Sequence, residues 1–263
     1  MTLFGFERRD VGMLRSLLRL ALVDRFLGSR LGMIWAVLAP LSLMGLFTFV
    51  FTFVFPGRLP GHPGTLPFVI WLLSGYGAWL GINEGLSSAT TSVVSNAGII
   101  KNISFKSELL PIVGAMLGLV PLLVSLIIVL PLQLASGELP SLSLLALPLI
   151  IVLQVAFVAG IGLFLASLNV FVRDTSLALP TLLTLLLFAS PIFYSTAAYP
   201  KGIVKLLLFN PIYIIAACYR SAIVQHEFPQ LWMLLYLAAV SAFFAWAGLK
   251  WFRRLKPFFD TRL

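Results

Sequence analysis

Five long apolar runs govern what this chain can become: Leu31–Phe55, Leu66–Ser87, Leu109–Ala135, Leu142–Val172 and Leu231–Leu249. Crossing the hydrocarbon layer of a bilayer takes about 20 residues at ~1.5 Å rise each. Inside that layer no water can satisfy a bare backbone, so runs of this length must cross as helices. Composition agrees: 60% of residues are hydrophobic and 10% charged, where a soluble domain carries about 25% charged residues. The expected fold class is an all-α polytopic membrane protein, organised as a single transmembrane domain over residues 1–263.

Two further apolar stretches decide the number of crossings. Leu177–Phe193 is short and ends on Ser190-Pro191, whereas Ile203–Ala217 is broken by Asn210-Pro211. Proline lacks an N–H and pushes the preceding residue out of helix. The first stretch is therefore read as a sixth span and the second as two short helices dipping into the outer leaflet. Charge placement supports six. With the N-terminus inside, 14 Lys and Arg fall on cytoplasmic pieces and four (Arg58, Lys201, Lys205 and Arg220) on outer ones, a clear positive-inside bias. A seventh span would move the basic tail, residues 250–263, outside and erase that bias: the move alone leaves nine cations on each side. Residues 1–30 are charged and precede a run too long for a cleaved signal, so the first span is expected to stay as an anchor in the bacterial inner membrane, both termini cytoplasmic.

Three elements lie outside the spans. Residues 10–28 place Arg15 and Arg19 one turn apart, with Leu14, Leu17, Leu18 and Ala21 on another face; this suits a helix lying in the membrane surface, or a plain juxtamembrane basic cluster. Thr90–Lys101 is polar with a stripe of Val93, Ala97 and Ile100 at helical spacing, which wants an apolar surface, a partner protein or the bilayer. Tyr194–Gln230 mixes prolines with Tyr194, Tyr199, Phe209, Tyr213 and Tyr219, either irregular backbone covered by protein or an interfacial aromatic belt.

The chemistry of an enzyme is missing. There is no G-x-x-x-x-G-K-[ST] to cradle ATP and no G-x-S-x-G. His62 and His226 have no neighbour at metal-ligand spacing, and Cys218 is the sole cysteine. A net charge of +9 would suit nucleic acid in a soluble protein, but here the cations sit at span ends and face anionic headgroups instead. Glu84, near the inner end of the second run, is the one ionisable group inside the spans. Asp174, next to Arg173, reads as a loop ion pair or helix cap. With no carboxylates near the midplane for ion coupling, energy is expected from a cytoplasmic partner. The rival class, an intramembrane lipid-modifying enzyme, would need an acid–base constellation that the sequence lacks.

Arg25-Phe26-Leu27-Gly28-Ser29-Arg30-Leu31-Gly32-Met33-Ile34-Trp35 with Pro40, then Asn96-Ala97-Gly98-Ile99-Ile100-Lys101 with Phe105, Glu108 and Pro111, resemble successive signatures of the permease subunits of ABC exporters for cell-surface polysaccharides, as in O-antigen export. Asn169–Asp174, Ser190–Tyr194, Asn210-Pro211 and Tyr219-Arg220 follow in the family's order. Phe26, Leu27, Ala39 and Lys106 depart from the pattern, the last standing where a proline is usual. The resemblance implies a homodimer docked on two separate nucleotide-binding ABC ATPase subunits, which would carry the ATP and magnesium, this chain holding no cofactor. It implies a coupling helix within 90–104 (Val93, Ala97, Ile100 and Lys101), gate helices within 195–225, and a lipid-linked polysaccharide as cargo. Teichoic acid, capsule polymer or a small hydrophobic drug are alternative cargoes. Pro191, Phe193, Tyr194, Tyr199, Asn210, Pro211, Tyr213 and Tyr219 are the expected outer gate or aromatic pathway. From charge and depth, rather than from the family, Arg25 and Arg30 are the candidates to meet the lipid diphosphate.

Overall fold

The computed structural model describes residues 7–25, 30–54, 64–102, 105–194, 202, 206–259 and 262. Among them every regular element is helical. α1 (Arg8–Asp24) is followed by a 3-10 turn (Gly32–Ile34), α2 (Trp35–Phe49) and a π-helical turn (Val50–Val54). Next come α3 (Thr65–Ser95), the short α4 (Ala97–Asn102), α5 (Leu109–Leu117) and α6 (Leu119–Ala135). A 3-10 turn (Leu142–Ala146) leads into α7 (Leu147–Phe171), then α8 (Asp174–Ala189), α9 (Pro211–Ile223) and α10 (Leu231–Leu255), closed by a 3-10 turn at Lys256–Phe258.

Five helical stretches are long and apolar enough to cross a membrane: Gly32–Val54, Thr65–Ser95, Leu109–Ala135, Leu142–Phe171 and Leu231–Phe258. They coincide with the five runs of the sequence. The expected sixth span is α8, whose 16 residues reach only ~24 Å, short of a ~30 Å core. It stops at Ser190, and Asn210 Nδ2 donates to the Ser190 hydroxyl at 2.9 Å. α9 starts there: Pro211 sits in its first turn and the Asn210 side chain accepts from the N–H groups of Ile212 and Tyr213, a local N-cap that explains the restart. At the far end of α9, Gln133 of α6 donates to the Ile223 carbonyl at 2.7 Å. The chain thus travels this leg in two helical steps.

α3 is the central post. Its 31 residues run ~46 Å, longer than a bilayer core, so the helix carries its polar final turns beyond the expected span end at Ser87. Buried positions make up 78% of its apolar window against 11% for α2, so α2 packs only lightly on the rest of the chain. The third run is divided at Gly118, between α5 and α6. α7 and α10 meet almost backbone to backbone: a Cβ on Gly248 would stand 2.9 Å from the carbonyl carbon of Gly160. Close approach through small residues is the usual means of packing helices where lipid offers no hydrophobic contrast. Side chains add cross-helix hydrogen bonds: Gln154 to the Ala78 carbonyl at 3.0 Å, Asn169 to Thr90 at 3.2 Å and Ser241 to Leu153 at 2.9 Å.

Both described ends of the chain lie at the same end of the bundle as α4. α1 packs Leu17, with Met13, Leu14, Leu18 and Ala21, on Leu109, Leu110 and Val113 of α5. Phe252 and Phe259 pack with Val93, Leu163 and Val170. The opposite end gathers the start of α3, the end of α6 and the end of α9.

Candidate functional site

At the α4 end, the N-terminal helix packs on α5 and its cap residue, Arg25, reaches Glu84 of α3. The guanidinium and carboxylate form two parallel bonds, the second (Nη2 to Oε2) at 2.8 Å. The Ser88 hydroxyl, one helical turn on, donates to the same carboxylate at 2.5 Å. The pair borders two cavities. One, of about 730 Å³, lies between α1, α3 and α5 and carries Ser87, Ser88, Thr91, Ser95 and Asn96 along one face of α3. The other, of about 210 Å³, is lined by Trp35, Pro40, Asn83 and Pro121. A charged pair beside a hydroxyl-rich cleft can receive an anionic or polyhydroxylated group. Arg30 is exposed and makes no described contact with this pair. Gly28, where a bend between the two arginines would fall, lies outside the described residues.

Three more ion pairs, on two carboxylates, flank the start of α5. Lys106 meets Asp10 of α1 at 2.6 Å, and Asp10 is held below the ordinary carboxylate range first by the N–H of Glu7 and then by Lys106. Glu108, 6% exposed at its side chain, accepts from Arg253 Nε at 3.2 Å and Lys256 Nζ at 3.1 Å. Burial pushes the Glu108 carboxyl up; its own N–H, then Lys256 and Arg253, together outweigh that and hold it low. Lys106, the departure from the familiar pattern, thus adds an ion pair to the apolar packing that holds α1 on α5.

Of the stripe in the coupling segment, Val93 faces the interior while Ala97 and Ile100 are half-buried. Val93 is fully buried among Leu163, Ala166, Val170, Leu249 and Phe252, and Ile100 packs between both inner clusters. For Val93, and in part for Ile100, this chain itself supplies the apolar surface. Gly98, Lys101 and Asn102 are exposed and Ala97 is half-buried, so α4 offers its polar edge.

At the α9 end the expected gate residues divide. Phe193 is buried, with its ring centroid 4.4 Å from Phe47, 5.1 Å from Phe51 and 5.3 Å from Tyr76. Tyr219 is also buried, and its hydroxyl has no hydrogen bond among the described residues. Pro191 is buried too. All three are buried in this arrangement. Tyr194, whose hydroxyl donates to the Phe188 carbonyl, Asn210, Pro211 and Tyr213 are half-buried; Tyr199 lies outside the described residues. Arg220, counted from sequence among outer charges, is not in a loop at all: it is buried inside α9. Asp174 is exposed in the first turn of α8, where a negative charge favours a helix N-terminus.

Sequence reasoning missed the partners of Glu108 and the burial of Arg220. A carboxylate at the foot of a span, with three cations on a later span's end, was the available signal for the first. For the second, Arg220 lies nine residues past Pro211 on a helix rich in Ile and Ala, and a cation in such a run has to be buried or snorkel. Among the described residues no group of three or more His, Cys, Asp or Glu could hold a metal ion.

The fold is that of a helical, multi-pass membrane protein with a polar cleft at one end and a helix restarted at Asn210-Pro211 towards the other. The ABC-2 type transporter profile matches residues 14–224, most of the chain, which therefore belongs to the ABC-2 type transporter family, the membrane permeases of ABC transporters. The chain is 27% identical over 239 residues to the O-antigen export system permease protein RfbA of Myxococcus xanthus, covering 90% of each. It is 26% identical over 178 residues to a protein of the same name from Klebsiella pneumoniae, covering 67% of this chain and 66% of that one.

Proposed function

We propose that this chain is the channel-forming subunit of an ATP-driven exporter that moves a lipid-linked, O-antigen-like polysaccharide across the bacterial inner membrane. The observation that carries the reading is the match to the ABC-2 family along residues 14–224 together with likeness to O-antigen export permeases. In this reading the chain crosses six times, with α8 and α9 sharing the fifth crossing, and both termini are cytoplasmic. Two copies associate, and the lightly packed α2 leaves apolar surface for a second copy or for lipid.

Two nucleotide-binding subunits, carrying ATP and magnesium, dock at the α4 end, where Ala97, Ile100 and Lys101 position the contact and the exposed edge of α4 makes it. Val93 serves by anchoring α4 to the bundle. The lipid diphosphate enters at the cleft beside Arg25 and Glu84, with Arg30 near the membrane surface.

The test is reconstitution. The chain, co-expressed with its ATPase subunits, should co-purify with them and drive ATP-dependent movement of a diphosphate-lipid-linked glycan across vesicle membranes. Failure of the subunits to associate would sink the exporter reading. Association and ATP hydrolysis without glycan movement would sink the polysaccharide and leave teichoic acid, capsule polymer or a hydrophobic drug as cargo.

A further inference from the structure

Arg220 is a buried cation with no carboxylate partner among the described residues. Its guanidinium is spent on backbone oxygens from two other segments. Nη1 donates to the Pro191 carbonyl at 2.9 Å, Nη2 to Ile192 at 2.6 Å and Nε to Trp71 of α3 at 3.3 Å. The guanidinium carbon also lies 3.7 Å from the centroid of the Trp71 ring, a cation–π contact. Room for the fork is made by Gly75: a Cβ there would stand 2.8 Å from the guanidinium carbon, closer than real side chains pack. Pro191 and Ile192 form the turn after α8, and that turn carries Phe193 into the ring cluster of Phe47, Phe51 and Tyr76.

We propose that Arg220 is the positioning residue of the mouth at the α9 end, clamping the Ser190–Tyr194 turn onto α3 so that Phe193 stays wedged between α2 and α3. Three donors on a planar fork reach three carbonyls at once, and its face stacks on an indole. An ammonium of equal charge concentrates its donors on one atom and does neither. The turn leaves α3 only when these bonds break together, so the mouth has a closed arrangement fixed by geometry rather than by a charge pair. The clamp rests on the exporter reading only in calling this region a mouth.

The test uses Cys218 as an internal standard, since it is the sole native cysteine and fully buried on the same helix, two residues from Arg220. Ile192→Cys adds a second buried thiol on the clamped turn. In membranes containing the full chain with its ATPase partners, N-ethylmaleimide should react slowly with both. Adding Arg220→Lys should speed alkylation at position 192 at least tenfold while Cys218 stays inert. Gly75→Ala, which leaves Arg220 in place but crowds its fork, should do the same. The two changes together should be no faster than either alone, because both act through one clamp. Unchanged alkylation at position 192 in both backgrounds would overturn the proposal. So would equal acceleration at Cys218, which would make Arg220 a general prop of the fold, and so would multiplication of the two effects. Alkylation is read without transport, so a wrong cargo assignment leaves this outcome intact.

Discussion

At the α4 end of the bundle, Glu108 meets Arg253 and Lys256, Asp10 meets Lys106, and Glu84 meets Arg25. At the α9 end, the buried cation of Arg220 is held by carbonyls and an indole instead. The cations of the first end are 33–42% exposed and can trade their partners for water or for an arriving anion. Arg220 cannot, because it has no water to return to. Under the proposed function, the exchangeable pairs lie at the end where a nucleotide-binding partner docks and the fixed cation at the mouth. The hydrogen-bonded contact between His226 and Glu138 at the α9 end lies at the periphery.

The largest effect that would break this contrast lies in packing rather than in charge. Phe252 is fully buried in the cluster that joins α10 to Val93 and Val170. Phe252→Ala should cost about 3–5 kcal/mol, the usual range for emptying a packed aromatic site, read as a lower unfolding temperature in detergent. A nearly neutral result would mean that the α4 end is held by its ion pairs alone.

Next in size is Glu108→Gln. Removing one member of a fully buried pair costs several kcal/mol, but Arg253 and Lys256 are 40% and 37% exposed and can rehydrate, so about 1–2 kcal/mol is expected. The tail should loosen with it, giving faster tryptic cleavage after Arg253 and Arg254. Half-molar salt should speed wild-type cleavage toward the variant's rate, since exposed cations are screened, and should leave alkylation at the Arg220 clamp unmoved. Salt sensitivity at both ends would erase the distinction.

Acid offers a finer version of the same test. The Glu108 carboxyl is held below its ordinary 4.5 in the folded chain. Its contribution is therefore complete above that value and is lost as pH falls through the lower, folded one. Tail cleavage by an acid-active protease should be flat from pH 7 to about 5 and rise only below 4.5. A rise between pH 6 and 7 would point to a different group.

How much of this was legible beforehand depended on whether the signal was local. Each of the five long runs announces itself through its own residues, and Asn210-Pro211 carries its cap and its break within two positions. Periodicity marks Val93, Ala97 and Ile100 as an apolar stripe without saying which surface each one meets. Whether Val93 meets a partner or Phe252, 159 residues later in the chain, is a tertiary fact that periodicity cannot hold. Arg220 failed for a related reason: charge counting assumes that cations beyond a span face water, and here three distant carbonyls take its place. Glu84 and Arg25 were both noticed, separately, because nothing local pairs residues on different helices.

The smallest effect on stability, and the most informative about the cleft, is expected from the Arg25–Glu84 pair. Arg25 is 42% exposed at its side chain, so Arg25→Lys, which keeps the charge and the topology, should change stability by less than about 1 kcal/mol. Function should respond more. A phosphate can take the place of the Glu84 carboxylate on the arginine fork, because both accept two parallel bonds, whereas a lysine presents a point charge to either. Arg25→Lys should therefore weaken binding of a diphosphate-lipid analogue several-fold in purified complex. Glu84→Gln removes the competing carboxylate and should strengthen it, since the fork then loses an anionic rival and gains none. The measurement is analogue binding by tryptophan quenching, with Trp35 on the wall of the smaller cavity. Opposite shifts for the two variants identify an exchangeable pair. Shifts in the same direction would make the pair a strut between α1 and α3, and the anion would have to be met elsewhere.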